Sequence, residues 1–143
     1  MKFWDSSALF PLLIEEPKSS SMRRLLHLDD DVVAWWGTSL ECYSALARLK
    51  RDHRIKEGEL VRARGLLDEM ADAWNEIYPA EDLRNAAERA LFLHSLKAAD
   101  ALQLAAALGW ARYQPLHHEF VCLDQRLRDA ARAEGFHVIP ESL

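Results

Sequence analysis

Short runs of β-branched and aromatic residues alternate with helix-patterned segments along this chain, and that alternation limits the folds open to it. Residues 32–36 (Val-Val-Ala-Trp-Trp) are bounded by Asp29-Asp30-Asp31 and Gly37, which marks a buried strand. Shorter extended runs are expected at 2–4, 75–78, 119–123 and 136–139. Between them, apolar residues recur at helical spacing, as Leu40, Tyr43 and Ala47 do, or Leu60, Ala63, Leu67, Met70 and Trp74. The spacing predicts helices over 8–14, 18–28, 38–53, 59–74, 80–93, 97–110 and 125–134. Pro17 ends the first and Gly135 stops the last. The helix at 97–110 is apolar on most of its circumference after Asp100, which predicts a central position against a sheet. Strands alternating with helices imply parallel strands covered on their faces, an α/β sandwich.

The 143 residues suffice for one domain, residues 1–143, and no linker or repeat divides them. Half are hydrophobic and 29% charged, which excludes a disordered chain. No apolar run reaches the roughly 20 residues of a membrane span. Met1-Lys2-Phe3-Trp4-Asp5 puts an acid where an export signal needs apolar residues, so a cytoplasmic, reducing compartment is expected. There Cys42 and Cys122 are expected as thiols. Two cysteines and six unclustered histidines argue against a zinc site. The net charge of −5 disfavours gripping nucleic acid by bulk charge. Its distribution is uneven, however. Arg48, Lys50, Arg51, Arg54, Lys56, Arg62 and Arg64 face only Asp52, Glu57 and Glu59 in the same stretch. That segment reads either as a solvated helix surface or as one face meeting a polyanion.

Ligands of open parallel sheets bind beyond the carboxyl ends of the strands. Three expected strands are followed there by an acid: Asp5 after the first, Glu41 on the first helical turn after the second, and Asp124 after the run at 119–123. Asp100 opens the Ala/Leu helix. Two carboxylates about 5 Å apart repel by about 3 kcal/mol at an effective dielectric of about 20. Four together require a cation or bound protons. Oxygen-only ligands suit Mg²⁺ or Mn²⁺. Such ions activate water and neutralise phosphate, so the chemistry implied is phosphodiester hydrolysis.

Each acid also has a plainer reading. Asp5 and Asp124 suit helix N-caps. Glu41 stands three after Thr38, the capping-box spacing. Asp100 can merely decorate a helix start, although a charge among Ala98, Ala99, Ala101 and Leu102 is costly without a partner. His94 beside Asp100, and Lys97 and Arg126 flanking two of the acids, read as packing or surface residues or as phosphate contacts. Trp74 and Trp110 read as core.

Asp5-Ser6-Ser7-Ala8-Leu9, Ser39-Leu40-Glu41, Leu96-Lys97-Ala98-Ala99-Asp100-Ala101-Leu102-Gln103-Leu104-Ala105 and Phe120-Val121-Cys122-Leu123-Asp124-Gln125-Arg126-Leu127 together resemble a PIN-domain ribonuclease. The type is the toxin of prokaryotic VapBC toxin–antitoxin pairs, over about residues 2–140. The resemblance implies a PIN-like three-layer α/β/α sandwich with a central parallel sheet. It also implies endonucleolytic RNA cleavage with Mg²⁺ or Mn²⁺. Carried over by position, Asp5, Glu41, Asp100 and Asp124 form the acidic quartet, with Asp5, Asp100 and Asp124 as metal ligands. Ser7 matches the hydroxyl residue that holds Asp5 or orients a water. Cys122 departs from the Thr or Ser of many relatives, and a thiol is a poorer hydrogen-bond partner for supporting Asp124.

The resemblance further implies a homodimer, an RNA substrate, and a VapB-type antitoxin through which DNA is met only indirectly. Trp35, Trp36, Tyr43 and Leu46 are candidates to line the antitoxin groove or the dimer face. The competing reading is a non-catalytic PIN-like module that binds protein or RNA. An aspartyl-phosphate phosphatase would carry a second Asp two residues after Asp5, where Ser7 stands. A phosphorylated receiver would need an Asp on a middle strand, and the strand at 32–36 runs into Gly37-Thr38. No Gly-x4-Gly-Lys P-loop occurs.

Overall fold

The computed structural model describes residues 1–143. Five strands, β1 (Lys2–Trp4), β2 (Val32–Trp35), β3 (Asn75–Ile77), β4 (Glu119–Val121) and β5 (His137–Ile139), form one sheet in the order β3-β2-β1-β4-β5. All four pairings are parallel. Side chains alternate between the faces, as the pleat requires. Phe3, Val33, Trp35, Phe120 and Val138 pack on one face, under α5 (Glu81–Leu93), α6 (Ala98–Trp110) and α7 (Gln125–Glu134). Trp4, Val32, Ala34, Val121 and Ile139 pack on the other, against α1 (Ser6–Leu13), α2 (Ser19–Leu28), α3 (Thr38–Arg51) and α4 (Glu57–Ala73). The three-layer α/β/α sandwich expected from the alternation is the architecture observed.

Element ends shift by at most two residues. Asp5 accepts the Ser7 amide, so α1 begins at Ser6 rather than at residue 8. β2 stops at Trp35, and Trp36 stands past its end, 53% exposed, while Trp35 is core. Leu46 is also fully buried and lines neither a groove nor a subunit face. Trp74 is buried, and Trp110 is partly buried against the core, with its ring against Phe3 and His118. Both cysteines are buried and free.

Two long-range polar clamps have no sequence signature. Asp29 reads as turn punctuation, yet it takes the N-terminal amine at 2.5 Å and Lys2 Nζ at 2.6 Å. Those partners hold its carboxyl well below the usual carboxylate range and tie the first strand to the β2 entry. Arg128 of α7 is buried and donates to the Cys122 carbonyl at 2.7 Å and to the Pro140 carbonyl at 2.5 Å. It fixes the chain leaving β4 against the chain leaving β5.

The sheet order reverses at β1, because the chain first builds outward through β2 and β3 and then crosses to β4 and β5. At such a switch point a crevice opens beyond the carboxyl ends of the two central strands. Here these are β1 and β4, the strands that lead into Asp5 and Asp124. The link from β2 to α3 is set by one close approach. A Cβ added to Gly37 would lie 2.6 Å from Nε1 of the buried Trp35. Gly37→Ala is expected to cost about 1–3 kcal/mol. Gly58→Ala in α4, where nothing lies within 4 Å, is expected to stabilise by up to about 1 kcal/mol. Urea unfolding of the two variants checks both signs.

Candidate active site

Asp5 directly follows β1, beyond the carboxyl end of the central strand, and is only 3% exposed. Its Oδ2 accepts the Ser7 amide at 3.0 Å and the Ser7 hydroxyl, and it lies 3.6 Å from Cys122 Sγ. Ser7 Oγ in turn accepts the Leu123 amide at 2.9 Å. Ser7 therefore holds Asp5 and couples the β1 exit to the β4 exit. Burial pushes the Asp5 carboxyl up, against the hydrogen bonds from Ser7 and Cys122, and the Asp100 charge adds to the rise.

Glu41 lies on the first turn of α3. The capping box is not formed: Gly37 is the N-cap, and Thr38 is already helical and fully buried. Glu41 instead turns inward. Its Oε2 accepts the Ser6 hydroxyl at 2.7 Å and its Oε1 accepts Gln103 Nε2 at 3.1 Å. Burial first, and then the Asp5 and Asp100 charges, raise its carboxyl to about 7, although the Ser6 and Gln103 bonds oppose the rise.

Asp100 is half-buried on the first turn of α6. Burial and the Asp124 charge push its carboxyl up, and Lys97 and Arg126 oppose that. Lys97 and Arg126 thus act on the acids electrostatically. His94 does not. It bonds Glu134 at 2.8 Å, in a cluster with Arg89. Asp124 is exposed and N-caps α7, accepting the Leu127 amide at 2.9 Å. Its carboxylate is held by that amide rather than by residue 122. The Cys122 thiol lies 3.5 Å from the Asp124 carbonyl, and burial drives its pKa up.

The plain reading of Asp5 and Asp124 holds, since each caps a helix, and the cap leaves each of them beside another acid at this end of the sheet. Burial is the largest cause of the raised Asp5, Glu41 and Asp100 carboxyls, and a neighbouring acid adds to each: Asp100 at Asp5, Asp5 and Asp100 at Glu41, and Asp124 at Asp100. Sequence reasoning gave no site role to Ser6 or Gln103 and read Thr38 only as a capping-box residue. Gln103 is fully buried and donates to both Thr38 Oγ1 at 3.0 Å and Glu41 Oε1. Its signal was available: a lone amide three residues after Asp100, on the same face of an Ala/Leu helix.

No three His, Cys, Asp or Glu side chains converge closely enough to cage an ion by themselves. The donor set is all oxygen and anionic, with one buried carboxylate and others reaching in from the rim. That fits a hard cation which keeps several waters and takes one or two carboxylates, as Mg²⁺ does, and not a soft cation that needs sulfur or imidazole.

No family model matches the chain. Two curated proteins are similar to it: Ribonuclease VapC45 of Mycobacterium tuberculosis strain CDC 1551 / Oshkosh, and Ribonuclease VapC49 of a second strain of that species. Each is 31% identical over 144 residues, spanning 99% of this chain and 96% of its own length. The chain belongs to the VapC ribonuclease family. Among solved structures, a toxin–antitoxin complex from Klebsiella pneumoniae matches with a TM-score of 0.62 at 16% identity, over 88% of both chains. FitAcB from Neisseria gonorrhoeae matches with a TM-score of 0.66 at 16% identity, over 96% of both chains. These likenesses carry the fold, and the VapC relatives carry the family.

The raised carboxyls fix a direction of pH dependence. Glu41 titrates higher in the fold, at about 7, than its ordinary 4.5. The stability linked to its proton is fully present below about 4.5 and is lost as pH rises through about 7. In EDTA, the melting temperature is expected to fall across that window. Glu41→Gln is expected to make the fall shallower and to melt several degrees higher than the parent at pH 8. Each kcal/mol is worth about 2–4 °C for a chain near this size. Thermal scans from pH 4.5 to 8 measure the slope.

Proposed function

We propose that this chain is the toxin of a type II toxin–antitoxin pair, a cytoplasmic endoribonuclease that hydrolyses RNA phosphodiester bonds with Mg²⁺ or Mn²⁺. The observation that carries the reading is the cluster of mutually repelling carboxylates at the switch-point crevice of a VapC-family fold. Asp5, Asp100 and Asp124 would hold the ion. When bound, it supplies Lewis-acid charge beside the phosphoryl oxygens.

The chain's own groups do the rest. Ser7 fixes the buried Asp5 carboxylate. Ser6 and Gln103 hold both oxygens of Glu41. A carboxyl titrating near neutrality suits a general base that takes the proton of the attacking water. Hydrolysis then leaves one phosphate monoester and one hydroxyl, and no covalent enzyme intermediate is required. The competing non-catalytic module gives no reason for a 3%-exposed Asp5 facing the charges of Asp100 and Glu41.

Cleavage of total RNA by purified protein tests the reading. Fragments are expected with Mn²⁺ or Mg²⁺, none with EDTA, and none from Asp5→Asn or Asp100→Asn protein of the same preparation. Loss is expected to exceed a hundredfold, the scale of one electrostatic or acid–base contribution. Cutting retained by a rigorously purified Asp100→Asn protein overturns the quartet.

The partners follow the same reading: a VapB-type antitoxin, which would carry the contact with DNA, and a second copy of the chain in a homodimer. A groove of about 610 Å³ between the end of α1 and α4 is lined by Leu13, Ile14, Val61 and Leu66, with Glu15 and Arg62 at its margin. It suits an amphipathic segment of the antitoxin. Leu66→Lys is expected to weaken co-purification with the antitoxin at least tenfold and leave RNA cleavage intact. Unchanged co-purification moves the antitoxin elsewhere. No helix is long and apolar enough to cross a membrane.

A further inference from the structure

The cationic stretch noted in the sequence becomes a defined surface in the fold. Arg48, Lys50, Arg51, Arg54 and Lys56 crowd the hairpin that joins α3 to α4, and all five are exposed. Arg62 and Arg64 continue the charge along α4, with Arg64 over the Tyr43 ring. None of the seven forms an ion pair, although the chain has a net charge of −5. Asp52, Glu57 and Glu59, the acids of the same segment, are exposed as well.

Part of this charge has a local cause. The last turn of a helix favours cations, which accounts for Arg48, Lys50 and Arg51. Arg54 and Lys56 are different. Lys56 is the N-cap of α4 and makes no side-chain cap bond. A cation there opposes the helix dipole and stands where Ser, Thr, Asp or Asn would satisfy an amide. The fold gains no local capping bond from the Lys56 charge.

The hairpin is also preformed. Arg54 donates its amide to the Leu49 carbonyl at 2.9 Å and His53 to that of Lys50 at 3.1 Å. His53 sits at φ 53°, a left-handed conformation uncommon outside Gly and Asn. The turn thereby sets the basic end of α3 beside the basic start of α4. Helix α3 joins this tip to the acids. Glu41 lies on its first turn and Arg51 is its last residue, about 15 Å further along the axis.

We propose that the α3–α4 hairpin is a second RNA contact, which binds the phosphate backbone of the strand beyond the bond being cut. The inference rests on the ribonuclease reading and adds a substrate class to it: RNAs that continue past the scissile phosphate far enough to follow α3. Contacts of Arg and Lys to phosphate position a strand and carry no sequence information. The tip therefore adds affinity and selects for length and leaves the choice of cleavage sequence to the acidic crevice.

The test uses the full chain carrying Asp5→Asn, so that binding is read without cleavage. Arg51→Gln, Arg54→Gln and Lys56→Gln are added together, and thermal unfolding confirms that the exposed changes leave the fold intact. A labelled single-stranded RNA of mixed sequence, and separately a trinucleotide, are titrated at increasing KCl. The slope of log K against log [KCl] is expected to be shallower in the triple variant by about 0.7 per lost contact, so by about 2. Affinity for the long RNA is expected to drop about tenfold or more at low salt. The trinucleotide is expected to bind both proteins alike.

Equal slopes and affinities overturn the proposal. A tip that retains polyglutamate and leaves RNA binding unchanged also overturns it, in favour of an acidic protein partner. The result is separable from the ribonuclease reading. Metal-dependent cutting by the wild type with unchanged slopes removes the tip alone. A retained slope difference with no cutting removes the nuclease alone.

Discussion

The Asp5 carboxylate, buried where the sheet reverses direction, is the constraint to which the surrounding elements answer. A carboxylate without water is costly, and the cost falls only if hydrogen bonds or a counter-charge replace the water. The chain supplies the bonds from both sides of the crevice: the Ser7 amide and hydroxyl from α1, and the Cys122 thiol from the β4 exit. The Leu123 amide locks Ser7, and Arg128 locks the Cys122 carbonyl to the chain after β5. One buried acid is thus braced by β1, α1, β4, α7 and the C-terminal segment. The bracing reduces the penalty and does not abolish it, since the Asp5 pKa remains raised. On the proposed function, a bound cation would offset the residual penalty, and metal binding would then add to the stability of the fold.

Much of this was legible in the sequence, for a physical reason. Parallel strands covered on both faces are apolar where they are buried, so Val32 to Trp35 and Phe120 to Val121 stand out from their polar boundaries. Acids at or just past the ends of such runs fall where a parallel sheet binds its ligands, and so Asp5, Glu41 and Asp124 could be found even though two of them also cap helices. The illegible part consists of pairings between residues distant in sequence. Gln103 meets Glu41 across 62 residues and Asn75 meets Asp31 across 44. Asp29 looks like any solvated turn until the N-terminal amine and Lys2 are seen on it. Arg128 reads as a surface charge on an amphipathic helix until α7 is laid on the sheet and its side chain is enclosed. Local propensity holds no information about these contacts, because each is set by the packing of whole elements.

The capping signals show where local rules bend to the site. Thr38 and Glu41 have the spacing of a capping box, and an isolated helix would close it. In the fold, Thr38 is drawn into the interior to accept from Gln103, the N-cap passes to Gly37, and Glu41 is freed to face Ser6 and Asp5. Gly37 is required because Trp35 occupies the space of a Cβ. The β2–α3 junction therefore lacks the side-chain cap the sequence advertises and gains an inward-facing carboxylate. At Asp5 and Asp124 no such exchange is needed. One oxygen of each carboxylate binds the helix amide and the other remains free.

Helix α3 carries opposite functions at its two ends. Its first turn presents Glu41 to a pocket that repels anions, and its last turn and the following hairpin present unpaired cations. A polyanion approaching the acids alone would be turned away by four carboxylates. Unless something else holds it, the metal must supply all of the attraction. A preformed cationic tip one helix length away changes that balance. On the proposed reading it would attract the backbone without entering the crevice, leaving the acids to the proposed cation and to the carboxyl that titrates near neutrality. The separation of charge along α3 would thereby let an acidic chain keep an anionic site and still draw an anionic substrate to it.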